Sequence, residues 1–238
     1  MSEHMALENL TVLDLTRVLA GPFCTMMLAD MGANVIKIEV PKGGDDTRSY
    51  PPFRAKNLNG ERESVYFANI NRNKKGITLN LKAPEGKEIF KELVKKADIV
   101  VENYRPGVMD KLGLGYDVLK EINPRIIYAA VSGFGCYGPY HLRPGYDILA
   151  QAMGGMMSIT GSKGGEPTRA GSALGDILGG LHVTIGILAA VNARTITGKG
   201  QRVDVSLMDS MIAATENTAL KYIETGNIPA PMGNRYAA

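Results

Sequence analysis

Leu10-Thr-Val-Leu-Asp-Leu15, an apolar run from Ala20-Gly-Pro22 to about Met31, then Gly32 and Asn34-Val-Ile-Lys-Ile-Glu39 decide the fold of this chain. The outer pieces are short, rich in Val, Ile and Leu, and of strand length. The middle piece reads as a helix, with Pro in its first turn and Gly just past its end. Two strands joined by one helix imply a parallel pair with a right-handed crossover.

The pattern continues outward. Strands are expected at Ile77–Leu81, Asp98–Asn103, Arg125–Ser132 and Arg202–Ser206. Helices are expected from Pro84 to Ala97, from Gly145-Tyr-Asp147 to about Met157, after Asp176, and from about Leu207 to Tyr222. The fold class is α/β, a modified Rossmann-like open parallel sheet flanked by helices. The dinucleotide fingerprint is missing, however. Arg17-Val-Leu-Ala-Gly-Pro22 holds one glycine in place of G-x-G-x-x-G, so a nicotinamide dehydrogenase is not expected. Pro41 to Arg62 reads as a long irregular segment, a length that often carries function.

At 238 residues, 45% hydrophobic and 21% charged, the chain has the composition of a soluble globular protein. A net charge of +3 with no Trp gives no footprint for nucleic acid. Cys24 and Cys136 lie far apart without metal-ligand spacing, so a reduced, cytoplasmic protein without a metal is expected. Met1–Glu8 is too short and polar for a signal peptide, and polar residues interrupt the apolar runs, so no membrane span is expected.

Asp176 stands at the mouth of the longest apolar run, with Gly175, Gly179 and Gly180 around it. It reads as an ordinary N-cap, worth about 1 kcal/mol, or as a reactive acid that glycines leave open to a ligand. A helix start would favour its ionised form, and the run from Ile177 to Ala193 is expected to be buried along most of its length.

Gly32–Glu39, Asn71-Arg-Asn-Lys-Lys75, Ala97-Asp-Ile-Val-Val-Glu-Asn103, Gly175-Asp176 and Gly198–Ser210, in this order and spacing, resemble the class III CoA-transferases. That group includes the formyl-CoA transferases and the α-methylacyl-CoA racemases. The resemblance covers almost the whole chain. It implies a large CoA-binding domain over residues 1–225, a linker beginning at 226–238 towards a smaller domain, and an interlocked homodimer. Asp176 falls on the family's nucleophile. Val18, Leu79, Lys82, Asn103, Tyr104 and Lys111 fall on CoA-contacting positions, and Arg143 on a basic one near the nucleotide. Asp147 falls on a second acid near the nucleophile. The three phosphates of CoA also suit the basic cluster Arg72, Lys74 and Lys75, although each cation taken singly reads better as a solvated surface charge.

The resemblance implies transfer of CoA from an acyl-CoA to a carboxylic acid through aspartyl-acyl anhydride and aspartyl-CoA thioester intermediates. The racemase branch places His at Tyr146 as half of an acid/base pair. Tyr, with a reference pKa near 10, does not serve that role at neutral pH, so transfer is favoured. Formyl-CoA transferases carry Gln at Leu19 and Trp at Tyr50, so the substrate acid is expected to be bulkier or more apolar than oxalate. Racemisation, and CoA binding without turnover, remain the alternatives.

Overall fold

The computed structural model describes residues 4–54, 60 and 62–235. In chain order its elements are β1 (Thr11–Asp14), α1 (Ala20–Asp30), β2 (Asn34–Glu39), α2 (Val65–Ile70), β3 (Lys75–Thr78), α3 (Pro84–Val94), β4 (Ile99–Glu102), α4 (Val108–Lys111) and α5 (Tyr116–Ile122). There follow β5 (Ile127–Ser132), α6 (Asp147–Met153), α7 (Met156–Ile159), α8 (Leu174–Thr197), β6 (Arg202–Ser206), α9 (Leu207–Ala214) and α10 (Thr218–Thr225).

All strand pairs are parallel, and the sheet order is β3-β2-β1-β4-β5-β6. This is the doubly wound order of a dinucleotide-binding fold, whose direction of growth reverses between β1 and β4. Both faces of the sheet are covered. Val12, Ile99, Val101 and Ile127 pack towards α1 and α8 with Leu28, Val183 and Ile187. Leu13, Val100, Ile126 and Tyr128 point the other way, into a cluster with Phe90, Val94 and Leu119 from α3 and α5. Burial on both faces explains why the central strands β1, β4 and β5 read as nearly continuous apolar runs, whereas the edge strand β3 is exposed.

Several expectations needed correction. Only one stripe of α8 is buried, through Val183, Thr184, Ile187, Ala190 and Arg194. Ile185 is 61% and Ile196 81% exposed on the other side. By length and composition alone α8 is apolar enough to cross a membrane, yet its buried stripe packs against the sheet. The Met-rich helix ends at Gly154, because Gly155 adopts a left-handed φ of 87° before α7 starts. The last helix divides into α9 and α10 around Glu216, whose φ is 59°. Strand β3 starts at Lys75, in register with Ile36, two residues earlier than its apolar residues suggested. The segment 41–62 contains a short 3-10 turn at Asp46–Ser49, capped by the Asp45 side chain. Residues 55–59 and 61 of that segment lie outside the described residues.

Gly179 and Gly180 serve helix packing. A Cβ at Gly179 would come within 2.4 Å of a Leu207 methyl, and one at Gly180 within 2.8 Å of the Ala20 carbonyl oxygen. The Ala20 backbone cannot retreat without moving the first turn of α1. Gly180→Ala is therefore expected to lower stability by about 1–3 kcal/mol, measured by urea denaturation; an unchanged midpoint would show that α1 and α8 separate freely.

Candidate active site at the carboxyl edge of the sheet

Ligands of open α/β sheets bind outside the carboxyl ends of the strands where the order reverses. A cavity of about 310 Å³ lies there, bounded by the residues that follow β1, β4 and β5. Val18, Leu19, Asn103, Tyr104, Arg143, Tyr146 and Asp176 are among the residues that line it. Gly133 and Gly145 pack backbone to backbone, and a Cβ on Gly133 would meet the Gly145 Cα at 2.4 Å. That close crossing brings Tyr146 to the cavity. A larger cavity of about 770 Å³ between α10 and residues 227–235 contains none of the expected site residues.

Asp176 is not the cap of α8. The cap is Ala173, without a side-chain bond, and Asp176 sits in the first turn. Its carboxylate accepts no hydrogen bond among the described residues, and burial followed by the charge of Asp147 pushes its pKa up to about 7. Desolvation thus outweighs the helix dipole, which favours the anion by only about 0.3–1 kcal/mol. Asp147 is itself fixed. Its Oδ1 accepts from Gly175 N at 2.7 Å, and its Oδ2 accepts from Gln151 Nε2 at 2.8 Å. Gln151 Oε1 in turn accepts from Ala170 N at 2.8 Å, so α6 holds the approach to α8.

The turn after β1 is held residue by residue. Asp14 Oδ1 accepts from Thr16 N at 2.9 Å, and Lys37 Nζ donates to Thr16 O at 2.7 Å. The Asn103 side chain brackets Arg17, accepting from its N–H at 2.9 Å and donating to its carbonyl at 2.7 Å. Val18 N donates to Asp45 Oδ1 at 3.2 Å. Val18 has a φ of 68°, in the left-handed region. A β-branched residue there is a genuine outlier, with strain of about 1–3 kcal/mol. The side chains of Asp14, Lys37, Asp45 and Lys74 are at most 2% exposed, and they pair as Lys74 with Asp14 at 3.1 Å and Lys37 with Asp45 at 2.9 Å. Burial pushes Asp14 up, but the charges of Lys74 and Lys37 and two threonine bonds overcome it and hold the carboxyl below its usual range.

A model of CoA-transferase family III matches residues 7–238. The chain belongs to this family. An acetyl-CoA:oxalate CoA-transferase of Acetobacter aceti is 48% identical over 230 residues, covering 96% of this chain and 58% of that protein. A succinyl-CoA:mesaconate CoA-transferase of Haloarcula marismortui is 47% identical over 237 residues, covering 97% of this chain and 59% of that one. The crystal structure of a CAIB/BAIF family protein from Brucella suis matches with a TM-score of 0.93 at 44% identity, over 98% of this chain and 61% of that one. The chain spans half to three-fifths of the length of the curated relatives it matches.

Of the residues expected from the CoA-transferase resemblance, Val18, Leu19, Tyr50, Asn103, Tyr104, Arg143, Tyr146 and Asp176 share the cavity lining. Asp147 lies behind Asp176, tied to Gly175. Leu79, Lys82 and Lys111 are outside the lining. Leu79 packs into the second core cluster, and Lys82 and Lys111 are exposed after the carboxyl ends of β3 and β4. Arg72 and Lys75 are not brought to the site. Arg72 pairs with Asp30 at the far end of α1, and Lys75 donates to Asn34 Oδ1 at the amino edge of the sheet. Lys74, from the same basic cluster, is the buried partner of Asp14.

The sequence reading missed Tyr66 and the ions under the turn. Tyr66, on α2, is pushed up to about 12 by burial and then by the charge of Asp176, and its ring meets Tyr50 edge-on at 5.8 Å. Ser64, whose Oγ caps α2 by accepting from Phe67 N, was the available signal for that helix. Ser132 Oγ is buried with no partner among the described residues, and Ser132 also lines the cavity. No group of three His, Cys, Asp or Glu among the described residues is placed to hold a metal.

Proposed function

We propose that the protein moves CoA from an acyl-CoA to a carboxylic acid, with Asp176 as nucleophile. The observation that carries this reading is a carboxylate inside the switch-point cavity that accepts no hydrogen bond among the described residues and lies beside a second, anchored carboxylate. An acid kept from protein donors is free to attack. The names of the relatives support the reaction class.

Asp176 attacks the thioester carbonyl of the donor; the C–S bond breaks and CoA leaves as thiolate. The thiolate attacks the aspartyl carbonyl of the resulting anhydride, forming an aspartyl-CoA thioester and releasing the donor acid. The acceptor carboxylate attacks that thioester and expels thiolate again. The thiolate then attacks the acceptor's acyl carbon, giving the new acyl-CoA and restoring the Asp176 carboxylate. One difficult exchange becomes four easier steps. N–H groups at the start of α8 are suited to the oxyanions. Asn103, Tyr104 and the turn at Val18 hold the pantetheine end of CoA. Lys82 and Lys111, beyond the cavity on the same side of the sheet, suit its phosphates. Incubation with succinyl-CoA followed by hydroxylamine is expected to leave a hydroxamate on Asp176, located by peptide mass spectrometry. Turnover without any label on Asp176 would exclude the covalent route.

None of the residues lining the cavity is a histidine, which disfavours the proton shuttling of a racemase. Leu19, in place of an amide side chain, suits an acid larger and less polar than oxalate. Leu19→Gln is expected to raise kcat/KM for oxalate relative to glutarate by about tenfold, the order of one hydrogen bond to a charged group. If oxalate is already the best acceptor of the unmodified protein, that specificity reading fails. The exposed apolar side chains of Ile185, Ile196, Leu220 and Ile223 support an assembly that covers them, by further polypeptide or by a second copy.

A further inference from the structure

We infer that the buried ions Lys37 and Asp45 are positioning residues, which hold the turn after β1 in a strained shape that the CoA-transferase site needs. The inference rests on the proposed function, because it assigns these residues to the binding of CoA.

The turn carries two of the expected contact residues, Val18 and Leu19, and both line the cavity. Its shape is not one the local sequence prefers, since Arg17-Val18-Leu19 contains no glycine and Val18 stands at φ 68°. A left-handed valine persists only where its surroundings over-determine it. Here they do. Lys37 Nζ takes the carbonyl of Thr16, Asn103 takes both backbone groups of Arg17, and Asp45 takes the N–H of Val18. Lys37 and Asp45 also pair with each other at 2.9 Å, which fixes the strand and the loop from which they reach the turn. Lys37 meets Asp45 Oδ2, and Thr47 adds two bonds to Oδ1, the oxygen that accepts from Val18 N, from its own N at 3.0 Å and from its Oγ1 at 2.8 Å, so both carboxylate oxygens are held.

A buried ion pair is a poor source of stability, since apolar residues of similar volume often do as well. Holding one backbone conformation against its neighbours is a role that apolar residues cannot take. Loss of either ion would release Val18 to its ordinary φ, and CoA would then bind only the minority of molecules that retain the turn. The apparent affinity falls by that fraction.

The test is CoA affinity by titration calorimetry in four proteins: unmodified, Lys37→Met, Val18→Gly, and the two changes together. Glycine adopts a positive φ without steric cost. Lys37→Met is expected to weaken CoA binding about tenfold, and Val18→Gly in the same chain to restore it to within about threefold, on the scale of such strain. A purely structural role for Lys37 would give no such rescue. Equal affinity in the unmodified protein and Lys37→Met would overturn the inference, as would a loss that Val18→Gly leaves unrepaired. If Lys37→Met fails to fold by circular dichroism, Asp45→Ala takes its place with the same expected rescue. Should neither fold, Val18→Pro, which bars the positive φ and removes the N–H that Asp45 holds while leaving all four buried ions present, is expected to lose CoA binding; unchanged affinity would overturn the inference. No CoA binding by the unmodified protein would instead overturn the proposed function, and the inference with it.

Discussion

Asp176→Ala is expected to lower CoA transfer by at least about 10³-fold, the scale on which loss of a covalent nucleophile is felt, while CoA still binds. The side chain makes no hydrogen bond to any described residue, so its removal breaks no network. Its neighbours keep their own anchors, Asp147 on Gly175 N and the turn at Val18 on Asn103 and Asp45. A drop in kcat with little change in CoA affinity separates this outcome from misfolding. Stability should move in the opposite direction. Folding raises the Asp176 pKa from an ordinary carboxylate value to about 7, so the folded state binds the proton more tightly than the unfolded one. The stability gained from this is complete below about pH 4, falls progressively as pH rises towards 7, and is gone above it. Asp176→Asn removes the penalty. It is expected to gain about 2 kcal/mol at pH 8, or roughly 5 °C in Tm, and nothing near pH 4. An active Asp176→Ala would contradict the assigned role, and an Asp176→Asn protein less stable at pH 8 would contradict the assigned burial.

The pH profile carries the second large effect. Attack requires the Asp176 anion, so kcat/KM should fall about tenfold per unit below pH 7, reaching about 100-fold at pH 5. Asp147 is the charge that adds to the effect of burial, and Asp147→Asn removes it while leaving an oxygen that can accept from Gly175 N. The acid limb is then expected to move down by about one unit, the common size of a single neighbouring charge. Steady-state rates between pH 5 and 8.5 decide the matter. A flat profile over that range would mean that Asp176 ionises normally, and an unmoved limb in Asp147→Asn would assign the shift to burial alone. Glu102 is also pushed to about 7, chiefly by burial, but it is occupied by Tyr104 N at 2.7 Å and Tyr128 OH at 3.1 Å. Asp147→Asn should leave any Glu102 contribution in place, which separates the two acids.

Much of the sheet was legible because its central strands β1, β4 and β5 are buried on both faces and are written as nearly continuous apolar runs. Asn34–Glu39 and Arg202–Ser206 were placed to the residue. Elements whose signals are weak or local were lost. Helices α2, α4 and α5 are each at most seven residues long, too short for a periodic pattern to stand out. The breaks at Gly155 and Glu216 turn on single left-handed residues, with φ of 87° and 59°, inside runs whose apolar pattern continues. For the site, the resemblance supplied positions that a single-sequence reading had no means to weigh. It did not show that Arg72 and Lys75 face the amino edge of the sheet, where Asp30 and Asn34 take up their hydrogen bonds.

The alternation of strand and helix, the lack of a pyrophosphate fingerprint, the family likeness and an acid at the start of the long apolar helix are all written in the linear chain. These follow from local pattern, which hydrophobic burial and the stereochemistry of glycine and proline write directly into the chain. Tertiary structure alone raised the proton affinity of that acid, because burial and Asp147 compete with the helix dipole only after α6 and α8 have packed. It alone decided that Val18 is left-handed, since bonds from Asp45 and Asn103, 27 and 86 residues away from the turn, hold that angle. Desolvation and long-range hydrogen bonds belong to the assembled molecule, and no window of sequence contains them.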